Sequence, residues 1–283
     1  MSLVTLEEVL KNTIKEKYAV GAFNIANHTL TEGVLSAAEK RGLPIILNLA
    51  EAHLEIIYLD NFIPYLLDRI ERSPVPVVLH LDHGVSYHRI IEAIEKGFSS
   101  VMFDGSSLPI EENITRTKEI VEIAHAQGVS VEAELGRVGG LKEGTNYGQV
   151  KENIFTDPDI AIEFVKQTQI DALAVSIGTV HGVYRGAPCL NYELLKKLRK
   201  QIKIPLVLHG GSGLSEADFK RLVTCGINKI NFFTGMSLAA VEALKKELVK
   251  NPDIGFPEIN LVAQNKIEEI VLKQLEVFNT RPL

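Results

Sequence analysis

Apolar residues are concentrated in eight short runs that recur along the whole chain. Within each run the apolar residues are nearly continuous instead of alternating with polar ones. This pattern is typical of parallel strands that are covered on both faces. The runs therefore predict strands at residues 18–24, 44–50, 75–83, 99–105, 129–136, 172–179, 204–211 and 227–234.

The segments between these runs have the apolar spacing and the end signals of helices. Residues 29–42 place their apolar side chains on one face and end at a glycine. Residues 86–97 begin with Ser86, a residue type that is favoured at helix N-caps, and also end at a glycine. Residues 110–128 follow the same pattern, and the chain after Pro252 predicts a further helix.

Eight strand–helix units in succession predict an α/β fold, a single (β/α)8 TIM barrel domain over residues 1–283 with additional C-terminal helices. An open, doubly wound sheet is the alternative. The first predicted strand is not followed by G-x-G-x-x-G, which makes a nucleotide-binding version of that sheet less favoured. The longest predicted connection, residues 136–156, is rich in glycine and polar residues, and such long loops are usually functional or mobile.

Composition narrows the choice of partner and compartment. The 283 residues carry a net charge of -6 without a basic block, which argues against nucleic acid as the main partner. A phosphorylated substrate remains compatible, because phosphate binding needs local backbone amides more than global charge. Cys189 and Cys225 do not form a disulfide or zinc pattern. The sequence shows neither a signal peptide nor an apolar segment that approaches a membrane span, so it predicts a cytoplasmic protein.

Polar residues collect where the predicted strands end. In a barrel the active site lies at the carboxyl ends of the strands, so these residues are expected to meet at one site. One such strand end means little, but nearly every predicted strand has one. The polar residues on these strands or just beyond them are Asn24, Asp82, His83, Asp104, Glu132, Glu134, Thr179, His181, His209, Ser212, Asn231 and Thr234.

Three histidines lie at the ends of the third, sixth and seventh predicted strands: His83, His181 and His209. Three imidazoles with a fourth position left open suit catalytic zinc. Asp104 and Glu134 could orient these ligands or hold a second ion position. A lone histidine is more often a hydrogen-bonded structural residue, and that interpretation is preferred for the remaining histidines: His28, His53, His80, His88 and His125.

The stretch HGGSGLSEADF, residues 209–219, predicts a phosphate site. Its small residues leave backbone N–H groups open, and barrel phosphate sites are often built from the loops after the seventh and eighth strands. Asn231 and Thr234 at the neighbouring strand end favour phosphate. The alternative is a tight glycine turn followed by a helix that Ser215 caps.

These motifs resemble the class II, zinc-dependent ketose-bisphosphate aldolases, the fructose- and tagatose-bisphosphate aldolases and their relatives. The resemblance covers residues 3–240, and HLDHG together with VEAELG is highly specific. The matching segments are AFN (22–24), VVLHLDHG (77–84), VMFDGS (101–106), VEAELGRVGG (131–140), AVSIGTVHGVY (174–184), LVLHGGSG (206–213) and KINFFT (229–234).

The resemblance implies a role for each matching position. It makes Asp82 the acid–base group on the C4 oxygen and Asp104 and Glu134 an alternate metal site. It also implies a monovalent cation, sodium or potassium, near His181 and His209, and a homo-oligomer, a dimer or a tetramer. The zinc ligands would be His83, His181 and His209, and the phosphate of dihydroxyacetone phosphate would be held by Asn24, Gly182, Gly210, Gly211, Ser212, Asn231 and Thr234.

The sequence departs from the family pattern at three positions. Ala50 stands where the family has a serine or threonine that touches substrate, and Gly235 stands where it has an acidic residue. Lys142 occupies the place of a loop glutamate that moves the proton at the nucleophilic carbon, with Glu143 next to it. The hypothesis is that Glu143 takes over that second catalytic role, and the alternative is that deprotonation is weakened or achieved in a different way.

The leading prediction is zinc-dependent, reversible cleavage of fructose or tagatose 1,6-bisphosphate to dihydroxyacetone phosphate and glyceraldehyde 3-phosphate. Alternatives are a related enzyme such as 6-phospho-5-dehydro-2-deoxygluconate aldolase, or a metal- and phosphate-binding protein that has lost turnover. A zinc hydrolase is weaker, because Asp82 would then lack a role. A Schiff-base aldolase needs a buried lysine at a strand end, and Lys229 opens the eighth strand, which we expect to be the wrong end.

Overall fold

A closed barrel of eight parallel strands forms the centre of the computed structural model, which describes residues 2–140, 154–182, 184, 186 and 188–283. The order around the barrel is β1-β2-β3-β4-β5-β7-β9-β10. The predicted barrel is therefore confirmed. The barrel strands are β1 Val20–Asn24, β2 Ile45–Ala50, β3 Val77–Gly84, β4 Ser100–Phe103, β5 Ser130–Leu135, β7 Ala172–Val175, β9 Leu206–Leu208 and β10 Ile227–Phe232.

Two further strands lie outside the barrel, β6 Gly139–Gly140 and β8 Val180–His181, and they pair in parallel. Gly140 has φ +99°, and a Cβ at this position would lie 2.4 Å from the carbonyl oxygen of His181. Glycine is therefore required for the close approach that holds the His181 segment over the barrel.

Helices cover the outside of the barrel. The helices predicted at residues 29–42, 86–97 and 110–128 are present within two residues at each end, and the helix predicted after Pro252 begins at Phe256. The helices are α1 Leu6–Leu10, α2 Thr13–Glu16, α3 His28–Arg41, α4 Leu59–Glu71, α5 Tyr87–Glu95, α6 Ile110–Ala126, α7 Pro158–Thr168, α8 Tyr192–Gln201, α9 Glu216–Cys225, α10 Thr234–Lys250 and α11 Phe256–Val277, with a 3-10 helix at Glu51–Glu55.

Of the two serines predicted as helix N-caps, one makes its capping hydrogen bond and the other does not. Ser215 forms a capping box with Asp218 at the start of α9. Ser86 occupies the predicted N-cap position of α5, but its side chain makes no capping hydrogen bond. Its backbone N–H instead donates to Glu51 Oε2 at 3.1 Å, as does the backbone N–H of Val85 at 2.7 Å. A carboxylate from the neighbouring β2–α4 connection thus binds the two N–H groups that precede the helix, while the first-turn N–H groups that Ser86 was expected to bind receive no side-chain cap.

Period-two alternation separates the two faces of each strand. Outward side chains pack against the helices in one large apolar cluster. Inward side chains near the amino ends of the strands form a second cluster, which includes Val20, Ile46 and Val78 and is closed from below by Leu6 and Leu10 of α1. Because this end is filled by apolar residues, polar inward residues are left for the opposite, carboxyl end.

The C-terminal helix is part of the barrel wall. Helix α11 packs against α3 and α10, and the carbonyl oxygen of Phe278 accepts a hydrogen bond from the Ala19 N–H at 3.0 Å. Thr280 donates its hydroxyl to the Ala19 carbonyl at 2.8 Å. Among the described residues, no helix has the length and apolar character needed to cross a membrane.

Candidate active site at the carboxyl ends of the strands

The three predicted histidines converge. His83 lies near the end of β3, His181 ends β8, and His209 directly follows β9. One ring nitrogen from each lies within 4.8 Å of the others. The ring centroid of His83 lies 5.0 Å from that of His181 and 4.5 Å from that of His209. Three separate strand–loop connections are therefore needed to build this group.

Carboxylates fix the orientation of two of the rings. His83 Nδ1 lies 3.2 Å from Asp104 Oδ2, and His209 Nε2 lies 2.8 Å from Glu132 Oε1. A ring nitrogen that donates to a carboxylate leaves the other ring nitrogen as an acceptor. The two remaining nitrogens, His83 Nε2 and His209 Nδ1, face each other at 2.7 Å. When both rings are neutral, these facing nitrogens are two acceptors that fit a cation, and three imidazoles fit a transition metal such as zinc better than magnesium or calcium.

The backbone at His83 is in an uncommon conformation. Its φ is +49°, in the left-handed region that non-glycine residues rarely adopt. The register between β3 and β4 shifts between Leu81 and Gly84, so the strand departs from regular pairing at this residue. Strain of this kind persists where surrounding structure enforces it and is concentrated at functional sites.

A second group of possible ligands consists of His83, Asp104 and Glu134. Burial together with the nearby Asp104 raises the pKa of Glu134 to about 8. Burial lowers the pKa of His83, but Asp82 and Asp104 outweigh it and raise that pKa to about 10. This concentration of negative charge favours a cation beside His83.

Asp82 lies one residue before His83 and is fully buried. Its Oδ1 accepts a hydrogen bond from Asn231 Nδ2 at 2.9 Å, and its Oδ2 lies 3.4 Å from Asn24 Nδ2. Two amides from β10 and β1 therefore hold this carboxylate from both sides. Because successive strand residues point to opposite faces, Asp82 lies inside the barrel only with the strand register observed here.

A buried charge network lies beneath the histidines, and sequence reasoning missed it. Lys229 is fully buried inside the barrel, with Nζ 2.7 Å from Glu132 Oε2 and 3.5 Å from His80 Nε2. Lys229 lies in register with Val20, the first residue of β1, so its backbone is in the amino half of the barrel as expected, but its side chain extends inward to Glu132, which was not expected. Period-two alternation was the available signal, since Lys229 shares a face with Asn231.

The partners of this network set its charges. Burial opposes ionisation of Glu132, but Lys229 and the hydrogen bond from His209 outweigh it and hold the pKa of Glu132 well below its usual range. Burial and the nearby Lys229 lower the pKa of His80 to about 3, and His80 Nδ1 bonds Ser100 Oγ at 2.8 Å. The structural interpretation of His80 agrees with this neutral, hydrogen-bonded ring.

The predicted phosphate residues lie beside the histidines. Gly210 has φ +67°, and a Cβ there would lie 2.5 Å from the Val180 carbonyl oxygen. The hydroxyl of Tyr184 donates to the Gly210 carbonyl at 2.9 Å and accepts from the Val180 N–H at 3.2 Å, which joins the His181 and His209 segments. Gly182 and Gly211 are buried in the same region.

The start of α10 completes this region. Ser212 Oγ accepts a hydrogen bond from the Phe233 N–H at 3.2 Å, and Thr234 is the first residue of α10. No side chain caps this helix, so its first N–H groups and its dipole favour an anion. Ser212 and Thr234 are thereby brought together by the pairing of β9 with β10.

The three positions that depart from the family pattern lie in different parts of the structure. Ala50 is fully buried at the end of β2 and lies in register with Asp82. Gly235 is the second residue of α10, where a Cβ would lie 3.0 Å from the ring of Phe232. Lys142 and Glu143 lie outside the described residues.

Comparison with known proteins gives consistent relatives. The chain matches the family model described as "Fructose-bisphosphate aldolase class-II" over residues 4–281. A "Fructose-bisphosphate aldolase" from Geobacillus stearothermophilus is 42% identical over 261 residues, covering 91% of this chain and 90% of that protein. A "6-phospho-5-dehydro-2-deoxy-D-gluconate aldolase" from Bacillus subtilis is 38% identical over 287 residues, covering 99% and 97%. The crystal structure of the YdjI aldolase from Escherichia coli K12 has a TM-score of 0.87 at 35% identity and covers 98% of both chains.

The barrel and the histidine–carboxylate group define an aldolase of a generally metal-dependent class. The chain belongs to the class II fructose-bisphosphate aldolase family. It is therefore an enzyme of carbohydrate metabolism, a lyase that acts on a carbon–carbon bond.

Proposed function

We propose that this enzyme reversibly cleaves a ketose 1,6-bisphosphate, fructose or tagatose, to dihydroxyacetone phosphate and glyceraldehyde 3-phosphate with zinc. The observation that carries the proposal is the convergence of His83, His181 and His209 beside Asp82. A zinc ion held by these imidazoles would stabilise the negative charge that develops on the enediolate oxygens as the bond breaks. Asp104 and Glu134 would flank it and offer the ion an alternate position.

Asp82 is the proposed acid–base group. Aldol cleavage requires the C4 hydroxyl to lose its proton, and the reverse reaction requires that proton to be returned. A carboxylate that two amides hold at fixed positions can accept and return it without reorienting. For the proton at the nucleophilic carbon we propose Glu143, on the sequence argument alone.

The substrate phosphate is proposed to bind at the start of α10. The backbone N–H groups of the glycine turn and of the uncapped helix start would supply donors there. A sodium or potassium ion bound by carbonyls near His181 and His209 is part of the proposal. The residues proposed to hold the phosphate are Asn24, Gly182, Gly210, Gly211, Ser212, Asn231 and Thr234.

A second candidate substrate is 6-phospho-5-dehydro-2-deoxygluconate. Ala50 is a small, apolar residue in register with Asp82, where the family has a serine or threonine that touches substrate, so a different substrate is expected to be accepted there. The Bacillus subtilis relative with that name shows that this chemistry occurs on similar chains. The homo-oligomer, dimer or tetramer, and the cytoplasmic location stay predictions from the sequence.

The test is release of dihydroxyacetone phosphate from purified enzyme, with and without a chelator. The panel contains fructose and tagatose 1,6-bisphosphate and 6-phospho-5-dehydro-2-deoxygluconate. Chelator-sensitive release from one compound is the expected result and identifies the ketose. His83→Gln should lose both bound zinc and activity, whereas His88→Gln, an exposed histidine on α5, should keep both. Release that survives complete zinc removal would contradict the metal-dependent proposal.

A further inference from the structure

Asn48 is a buried amide to which no role has been given above. It lies on β2 two residues before Ala50, so both side chains share the inward face with Ile46 of the inner apolar cluster. Asn48 is fully buried, and neither its Nδ2 nor its Oδ1 has a hydrogen-bond partner among the described residues. A buried unpartnered carboxamide destabilises the folded chain, so an explanation is needed for its presence.

The neighbours of Asn48 place it beside the proposed reaction centre. Asn48 is in register with Asn24 on β1 and with His80 on β3. Asn24 uses its Nδ2 toward Asp82, while its Oδ1 is also unpartnered among the described residues. Three unpartnered amide atoms from two adjacent strands are therefore grouped on the Asp82 side of the barrel.

The chemistry of the unpartnered amide atoms of Asn48 and Asn24 indicates which substrate group they could bind. A carboxamide offers donors and an acceptor without charge, and a hydroxyl group likewise donates and accepts. A phosphate would need several donors or cations, and apart from Asn24 the proposed phosphate residues lie at the ends of β8, β9 and β10 instead. Ala50, level with Asp82, contributes a methyl group and no polar atom. Of these two inward residues of β2, only Asn48 can therefore form a hydrogen bond with a substrate.

We propose that Asn48, together with Asn24, binds a hydroxyl group on the aldehyde half of the sugar phosphate and thereby discriminates between substrates that differ in configuration there. This inference rests on the proposed aldolase function. It explains why an amide that costs stability is kept inside the barrel, because the cost is offset when the substrate hydroxyl pairs with it.

The test uses Asn48→Leu, which keeps a similar volume and removes the amide. We expect its melting temperature to stay equal or to rise by up to about 4 °C, because no protein hydrogen bond is lost. We expect kcat/KM for the preferred ketose to fall about 10-fold or more, and the ratio between the 4-epimers fructose and tagatose 1,6-bisphosphate to move toward one. An unchanged epimer ratio overturns the inference, whatever the melting temperature. Asn48→Ala serves in the same way if the leucine variant does not fold.

Asn228→Leu is the matched control. This asparagine is also buried on a barrel strand, but its Oδ1 accepts hydrogen bonds from the Leu206 N–H at 3.0 Å and from Arg199 Nη1 at 3.1 Å. We expect the control to lower the melting temperature and to leave the epimer ratio unchanged.

A separate readout distinguishes failure of this inference from failure of the proposed function. If the wild-type enzyme cleaves no member of the panel, the aldolase proposal fails for those sugars. The rise in melting temperature that each sugar phosphate causes is then compared between wild type and Asn48→Leu. A smaller rise in the variant supports the inference, whereas equal rises overturn it.

Discussion

Replacing Glu132 by glutamine tests whether the buried network sets the metal affinity of the site. Glu132 accepts two hydrogen bonds, one from His209 Nε2 at 2.8 Å and one from Lys229 Nζ at 2.7 Å. Glutamine has the same size but one acceptor oxygen, and its NH₂ group can only donate. Glu132→Gln therefore must lose one of the two bonds and the negative charge between them.

Two magnitudes follow from this arrangement. Loss of the carboxylate that orients a metal-binding histidine typically weakens metal affinity about 10- to 100-fold. Glu132 and Lys229 are both fully buried, and removing one partner of a buried ion pair costs about 3–5 kcal/mol because the other charge is left uncompensated. The metal-free variant should thus unfold more easily than the metal-free wild type by an amount in this range.

Competition with a chromophoric chelator measures the zinc affinity, and urea denaturation in excess chelator measures the stability of the metal-free chain. The double variant Glu132→Gln/Lys229→Met separates the two effects. Removing the stranded ammonium should recover most of the stability, while the zinc affinity should stay low because His209 still lacks its carboxylate. Glu216→Gln is the control, since this exposed carboxylate pairs with Lys273 on the surface.

Wild-type zinc affinity in Glu132→Gln would refute the argument that Glu132 orients His209. A double variant that recovers affinity together with stability would also refute it, because the effect would then be global destabilisation. The predicted pattern requires affinity and stability to respond separately to the second substitution.

Three further changes have defined outcomes. Asp82→Asn should keep its zinc content but lower kcat about 100-fold or more, measured by metal analysis and steady-state kinetics. Glu143→Ala should lower turnover, and an unchanged kcat would refute its proposed role. Burial opposes ionisation of Glu39, but its ion pair with Arg69 outweighs burial and lowers the pKa of Glu39. The pair therefore stabilises the fold fully above the unfolded-state pKa of about 4.3, and this stabilisation is lost as the pH falls through the lower pKa of the folded state. Arg69→Met should therefore lose about 1 kcal/mol of unfolding free energy at pH 7 and less below pH 4 in urea titrations.

Much of the fold could be read from local patterns. Continuous apolar runs separated by helical segments predicted the eight barrel strands, because a strand that is buried on both faces needs apolar residues at successive positions. The cap of α5 was different. Ser86 occupies the N-cap position, but its side chain makes no capping hydrogen bond, and its backbone N–H is bound by Glu51 from another connection, a distant partner that no local rule includes.

The grouping of His83, His181 and His209 was also predictable, because each lies at the end of a predicted strand and the carboxyl ends of barrel strands meet at one rim. Their orientations were not. Which ring nitrogen faces the ion depends on Asp104 and Glu132, which come from different strands. Hydrogen bonds between strands depend on register, and register is decided by the whole closed barrel.

The sequence by itself determined the barrel, the family resemblance and the set of chemically capable side chains, because these depend on residue type, spacing and period. The tertiary structure alone decided which buried polar groups became partners. It paired Lys229 with Glu132 inside the barrel and left the Asn48 amide unpartnered beside Asn24. The physical reason is that an inward side chain acquires its partners from across the barrel, at distances in sequence over which no local pattern carries information.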